Sequence, residues 1–308
     1  MKNYITIDGG TTNTRVSIVS DGIIKDTLKL PSNNDTTAYK NELKNKIEEI
    51  LSKNGYNEKD IIRILVSGTM ATSEFGLYPI DHLVVPVDIK KLKENSCEII
   101  IPEISNIPIV IIRGVKTSCD TLQSADMMRG EEAELMGLMS PGDKSSVYML
   151  MGSHSKIVKT DDFGNITDIC TMLTGELIGA VSKNTILKHS LVFDGVCINE
   201  EFLKKGYIYC HDNGINETAF KVRVLKNIFN ATESEIYSFF VGAILCGEIQ
   251  YVIKSQIKKI IVGGNKILKE AVCILLKEYL NAQIIMLTET QVDNSVSTGL
   301  VKIFEYQL

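Results

Sequence analysis

The segment Asp8-Gly9-Gly10-Thr11-Thr12-Asn13 puts a carboxylate at the end of an apolar run, then two glycines and a row of hydroxyl and amide side chains. Glycine lets a backbone approach a ligand closely, successive N–H groups and threonine hydroxyls donate to phosphate oxygens, and a strand-end aspartate holds Mg2+ directly or through water. A carboxylate beside a phosphate makes sense only with a metal between them. Gly10, Thr11, Thr12 and Asn13 are therefore candidate phosphate contacts and Asp8 a candidate Mg2+ ligand, with an ordinary hairpin turn as the competing reading. A second turn, Gly152-Ser153-His154-Ser155-Lys156, again offers N–H groups and hydroxyls, now with a cation. Gly263-Gly264 closes an apolar run ahead of a helical pattern, a close-approach point suited to adenosine. The chain has neither G-x-x-x-x-G-K-S/T nor a strand-linked G-x-G-x-x-G, which excludes P-loop and Rossmann readings.

Phosphoryl transfer also needs charge neutralisation and a carboxylate to accept the hydroxyl proton. Arg129-Gly130-Glu131-Glu132 opens a helical pattern whose Leu135 and Met136 are apolar, and acids suit a helix N-terminus on structural grounds alone. The guanidinium fork of Arg129 fits either a substrate carboxylate or the transferring phosphate. Arg15 either reaches phosphate or is an ordinary strand cation. His154 fits a carboxylate or a phosphate, Lys156 supplies a point charge, and Glu176 is a substrate or metal contact or a buried hydrogen-bond partner of the turn. His189 is expected to support a helix, while His82 and His211 belong to no motif.

The elements that must position these residues follow a repeated grammar. Residues 4–8, 14–19 and 23–28 are β-branched runs separated by turn residues, which predicts an antiparallel meander. Leu43, Ile47, Ile50 and Leu51 recur at helical spacing, and residues 61–66 form a continuous apolar run of strand length. Residues 147–173 repeat the meander. A largely helical stretch (219–253), a strand (259–262), a helix (266–280) and a strand (283–287) follow. The simplest architecture is α/β: two duplicated domains, 1–142 and 143–308, with the active site in a cleft between them and the boundary in the turn Ser140-Pro141-Gly142-Asp143.

A chain of 308 residues, 44% hydrophobic and 23% charged, can bury a substantial core. Its net charge of −5 is spread without a block of one sign, so neither nucleic acid nor an anionic membrane is an expected partner. No apolar run approaches the roughly 20 residues of a membrane span, and the expected location is the cytoplasm. Its seven cysteines are dispersed and never spaced C-x-x-C, which argues against a disulfide framework or a zinc site.

Two phosphate-binding hairpins at the starts of duplicated domains resemble the superfamily of sugar kinases, hsp70 and actin, with its ribonuclease H-like, actin-like ATPase domains. Within it, "MMRGEEAELMG" (127–137), "GSHSK" (152–156), "LTGEL" (173–177), "HSL" (189–191) and "GAILCGE" (242–248), with Ser67-Gly68 followed by Ser73 and Gly76, resemble the 2-dehydro-3-deoxygalactonokinase family over nearly the whole chain. The resemblance implies ATP- and Mg2+-dependent phosphorylation of the terminal hydroxyl of a 2-oxo-3-deoxy sugar acid. It implies Glu131 as base with Glu132 in reserve, and Ser67, Gly68, Arg129, Glu132, His154 and Glu176 as substrate contacts. The chain departs from the pattern at Gly9 and Ile157, where the family carries Trp, at Met151 for Pro and at Cys246 for Gly. These changes touch the walls of the expected site more than its charged groups. Kinases of another small hydroxy acid or amino sugar, and a non-catalytic nucleotide- or sugar-binding regulator, are the alternatives, and homodimerisation is left open.

Overall fold

A computed structural model describes residues 1–10, 13–32, 36–71, 77–118, 120–140, 143, 145–193 and 195–307. The candidate phosphate contacts Thr11 and Thr12 lie outside these residues, as do Ser73, Gly76 and the Pro141-Gly142 turn. The chain divides into two compact units. The first comprises 1–144, 160–169 and 290–308, and the second 145–159 and 170–289. This differs from a single cut at 142/143: the tip of one hairpin and the C-terminal helix group with the first unit.

In unit 1 the expected meander is present as β1 (Asn3–Gly9), β2 (Asn13–Ser20) and β3 (Ile23–Pro31). The helical spacing of Leu43, Ile47, Ile50 and Leu51 is realised in α1 (Thr36–Asn54), whose buried face carries those four side chains. The apolar run that follows is β4 (Arg63–Gly68). Next come β5 (Leu83–Val84), α2 (Ile89–Glu94), β6 (Cys97–Ile101), β7 (Ser105–Ile111), β8 (Val115–Lys116), β9 (Met127–Met128) and α3 (Glu131–Leu138). A six-stranded sheet has the order β3-β2-β1-β4-β7-β6, and a small sheet has the order β5-β8-β9. One face of the large sheet, with Ile5, Ile7, Ile64 and Val66, packs on α1. The alternate residues of β1 turn the other way, as period two requires: Tyr4 donates to Glu305 (2.9 Å), and Thr6 bonds Ser297 (2.7 Å) on the C-terminal helix Glu289–Glu305. That helix meets α3 at a crossing too close for side chains. A Cβ on Gly137 would fall 1.9 Å from the Ser295 carbonyl oxygen, and one on Gly299 would fall 1.8 Å from that of Ala133.

Unit 2 repeats the topology. Its strands β10 (Val147–Met151), β11 (Ser155–Thr160) and β12 (Ile166–Met172) form the second meander, with α4 (Thr174–Asn184) next. Helix α5 (Glu200–Asn213) is not among the expected elements, and the stretch expected to be largely helical, 219–253, proves to be the greater part of α6 (Ile215–Asn227) followed by α7 (Glu233–Ile244) and α8 (Cys246–Ser255), the last two bent by 44° at their junction. Then follow β13 (Lys259–Gly264), α9 (Lys266–Tyr279) and β14 (Gln283–Met286). The sheet order β12-β11-β10-β13-β14 mirrors β3-β2-β1-β4, because β10 runs parallel to β13 as β1 does to β4. Among the described residues no single helix is long and apolar enough to cross a membrane.

Candidate functional site

In unit 1 the site is built where β1 and β4 end side by side. Asp8 pairs with Ser67 and Gly9 with Gly68 in register. Gly68 has φ +85°, and a Cβ there would fall 2.2 Å from the Gly9 carbonyl oxygen; a Cβ on Gly130, with φ +108°, would fall 3.2 Å from the Gly68 Cα. Only glycine accepts this backbone and this proximity. The start of α3 is thereby seated on the strand ends, bringing Arg129, Glu131 and Glu132 to the β4 terminus. The turn between β1 and β2 is closed by Gly10 N–H donating to the Asn13 carbonyl (3.1 Å).

Asp8 Oδ2 lies 3.2 Å from Arg15 Nη1, with the Asp8 side chain 19% exposed. Removal from water pushes the Asp8 carboxyl up from its ordinary value, and the Arg15 guanidinium pulls against that. Arg15 is thus committed to Asp8.

The two glutamates at the α3 start separate in role. Glu132 is fully buried, both of its oxygens accept from Gly130 N–H (2.9 and 2.8 Å), and burial together with the charge of Glu131 pushes it up to about 8. Glu131 accepts from Arg129 N–H (3.0 Å). Glu134, one helical turn beyond Glu131, is also pushed up to about 8, first by loss of solvent and then by the charges of Glu131 and Asp8, with Arg15 opposing. Motif reading passed over Glu134; its i+3 spacing from Glu131 is the signal that puts both on one helix face.

Arg129 is held by the segment that leads into β5. Its Nη2 donates to the Ile80 carbonyl (2.9 Å) and meets His82 Nδ1 at 3.2 Å, while Nη1 is buried and finds no partner among the described residues. Ser67 Oγ is likewise buried and unpartnered among them. His82, which no sequence motif singled out, is therefore joined to the arginine that the motif did single out.

In unit 2 the second turn is anchored by its carbonyls. Gly175 N–H donates to Gly152 O (3.1 Å) and Glu176 N–H to Ser153 O (3.0 Å), seating the α4 start on the turn. His154 Nε2 and Glu176 Oε2 are 2.5 Å apart, with Glu176 60% exposed. Lys156 is buried in β11. Gly264, with φ +96°, lies so near β10 that a Cβ would fall 2.1 Å from Met151 O, and Asn265 N–H donates to that same oxygen (2.7 Å). Glycine at 264 is thus required by strand packing. The Thr174 hydroxyl bonds buried Glu248, so the L-T-G-E-L and G-A-I-L-C-G-E segments meet directly. His189 is exposed, and its carbonyl accepts from Lys226 Nζ on α6.

Among the described residues no group of three His, Cys, Asp or Glu side chains is placed to hold a metal. Mg2+ needs no such cage: it is usually held by one or two carboxylates, water and substrate phosphates. Asp8 fits that pattern, with Glu131 and Glu134 adding negative potential to its surroundings.

A family profile described as 2-keto-3-deoxy-galactonokinase matches residues 8–303. A stretch of 67 residues is 37% identical to a Rhizobium meliloti (strain 1021) protein assigned as 2-dehydro-3-deoxygalactonokinase DgoK1; it spans 21% of this chain and only 22% of that relative's length. The solved structure of a candidate 2-dehydro-3-deoxygalactonokinase from Sinorhizobium meliloti superposes with a TM-score of 0.80 at 19% identity, covering 97% of this chain and 95% of its own. An activator of 2-hydroxyisocaproyl-CoA dehydratase from Clostridium difficile, solved with bound ADPNP, superposes with a TM-score of 0.53 at 13% identity, covering 98% and 95%. At these identities the likeness establishes a shared fold, the mixed α/β actin-like ATPase class expected from the sequence.

Proposed function

Since the chain belongs to the 2-keto-3-deoxy-galactonokinase family, we propose that it is an ATP- and Mg2+-dependent kinase phosphorylating the 6-hydroxyl of 2-dehydro-3-deoxy-D-galactonate. The observation that carries this reading is the convergence at one strand end of Asp8, the acidic start of α3 and an arginine with an uncommitted edge. Phosphoryl transfer asks a protein mainly for positioning and for electrostatic stabilisation of spreading charge. When bound, Mg2+ would supply that neutralisation at the phosphates, with Asp8 holding it directly or through water. A divalent cation there also offsets the crowding of negative charge felt by Glu134.

Glu131 is the proposed acceptor of the hydroxyl proton. Glu132 is the poorer candidate, because both oxygens are engaged and it stays protonated at neutral pH. In unit 2 the N–H groups of Gly152 and Ser153, together with Lys156, are the proposed nucleotide-phosphate contacts, with His154 and Glu176 as a paired polar contact to substrate. The Gly263-Gly264 end is the proposed adenosine surface.

The test is ADP release from ATP and Mg2+ against 2-dehydro-3-deoxygalactonate, its gluconate epimer, other aldonic acids and N-acetylhexosamines. Selective turnover of the galactonate supports the proposal. Turnover of a different acid or of an amino sugar changes the substrate and keeps the class, and ATP binding without turnover of any of them overturns it.

A further inference from the structure

We propose that His82 is a positioning residue for Arg129 and that the guanidinium edge it leaves open receives the carboxylate of the sugar acid, an inference that rests on the kinase reading. Nη2 of Arg129 has two hydrogens, and the Ile80 carbonyl and His82 Nδ1 take one each. A guanidinium is planar, so saturating one terminal nitrogen fixes where the other points. That other nitrogen, Nη1, is buried without a partner among the described residues. Buried donors in folded proteins are nearly always satisfied, and a bare one marks a place where something else binds. An arginine with a purely structural task would have closed this edge too.

His82 can do this only as a neutral ring with its lone pair on Nδ1 and its proton on Nε2. Its surroundings enforce that form: loss of solvent, then the charges of Arg129 and Lys116, push it down to about 4, against a smaller opposing pull from Asp81. The backbone prepares the pair. His82 directly precedes β5, Gly114 directly precedes β8, and Arg129 directly follows β9, so the order β5-β8-β9 gathers all three at one end of the small sheet. A Cβ on Gly114 would fall 2.7 Å from His82 Cδ2 and 2.6 Å from the Met128 carbonyl oxygen. The ring therefore occupies a place that only glycine leaves vacant.

A carboxylate suits this edge, since its planar pair of oxygens matches the guanidinium fork, and a contact to the transferring phosphate is told apart by its kinetics, because losing it lowers kcat rather than raising KM. In a 2-oxo-3-deoxy hexonate the carboxylate is at the opposite end of the molecule from the 6-hydroxyl. A contact made there is the same in ground and transition states, and losing it raises KM while sparing kcat.

The experiment measures kcat and KM for the sugar acid in the wild type, His82→Ala and His82→Asn, alongside long-range 1H–15N spectra of His82 in the wild type. Expected are a KM raised about tenfold in His82→Ala with kcat within about threefold, and recovery of most of that loss by His82→Asn, whose side-chain oxygen replaces Nδ1 as acceptor. The spectra should show an Nε2–H ring that stays neutral down to about pH 5. A merely structural role would lower kcat and melting temperature together and gain nothing from the asparagine. A KM within about twofold of wild type in His82→Ala, or a ring titrating at its ordinary value, overturns the proposal and leaves the kinase reading intact. A wild type that turns over no sugar acid overturns the kinase reading, and the proposal with it.

Discussion

Replacing Glu132 by glutamine tests the electrostatics of the α3 start without relying on any assumed substrate. The carboxyl is held at about 8, against an ordinary 4.5. Between those values the folded protein keeps a proton that the unfolded chain has released. The contribution of Glu132 to wild-type stability therefore falls as pH rises from 4.5 to about 8 and is level outside that window. Each full pH unit inside the window is worth about 1.4 kcal/mol, so from pH 5 to pH 7 this group alone removes roughly 2 to 3 kcal/mol. Glutamine cannot ionise, and its carbonyl oxygen can still accept from Gly130 N–H. Urea unfolding of both proteins at pH 5, 6 and 7, with unchanged m, should show Glu132→Gln gaining on the wild type by roughly 2 to 3 kcal/mol across that range. Other titrating groups cancel in the difference. A difference flat to within about 0.5 kcal/mol would mean that Glu132 is ionised in the folded protein and that the reasoning is wrong. The same variant should keep kcat within about threefold, as expected if Glu132 is not the base.

Asp8→Ala should lower kcat by at least about a hundredfold and abolish any Mg2+-dependent rise in melting temperature with ATP present; retention of either disproves its role. For Glu131→Ala, a loss of less than about tenfold in kcat, roughly 1.4 kcal/mol, would move the base elsewhere, with Glu134→Gln as the comparison. Gly114→Ala crowds His82 and should reproduce the raised KM of His82→Ala, by about tenfold, with kcat spared; an unchanged KM would show that the ring is not held from that side. Gly68→Ala places a Cβ 2.2 Å from a carbonyl oxygen at φ +85° and should cost about 3 kcal/mol or more in urea unfolding; less than about 1 kcal/mol would mean that the strand ends are not locked together.

Patterns of local origin were legible along the chain. Both meanders, the β4 run, and the alternation of β13, α9 and β14 lie where period-two and period-3.6 spacing put them, because one covered face dictates each pattern. The helical stretch before β13 was legible as helix but not as separate helices. Its residues are buried nearly all round in α7, which hides any amphipathic period, and the bend at Leu245 has neither glycine nor proline at its centre to announce it. The small sheet went unread, since strands of two residues carry no period at all.

The sequence by itself determined the chemistry available: an aspartate before two glycines, an arginine before two glutamates, a histidine and a lysine in a second turn, and a repeated order of elements. Only the tertiary structure decided which of these groups act on one another. Glu132 became a buried, protonated anchor, Arg15 became the partner of Asp8, and Glu134 joined the acidic face. His82, 47 residues from Arg129, became its acceptor. Such assignments depend on which atoms meet within about 3 Å and on how much water remains between them. Neither quantity is written in the spacing of residues along the chain; both arise where Gly68 and Gly130 let two strand ends and a helix start come together and where Gly114 leaves room for the His82 ring.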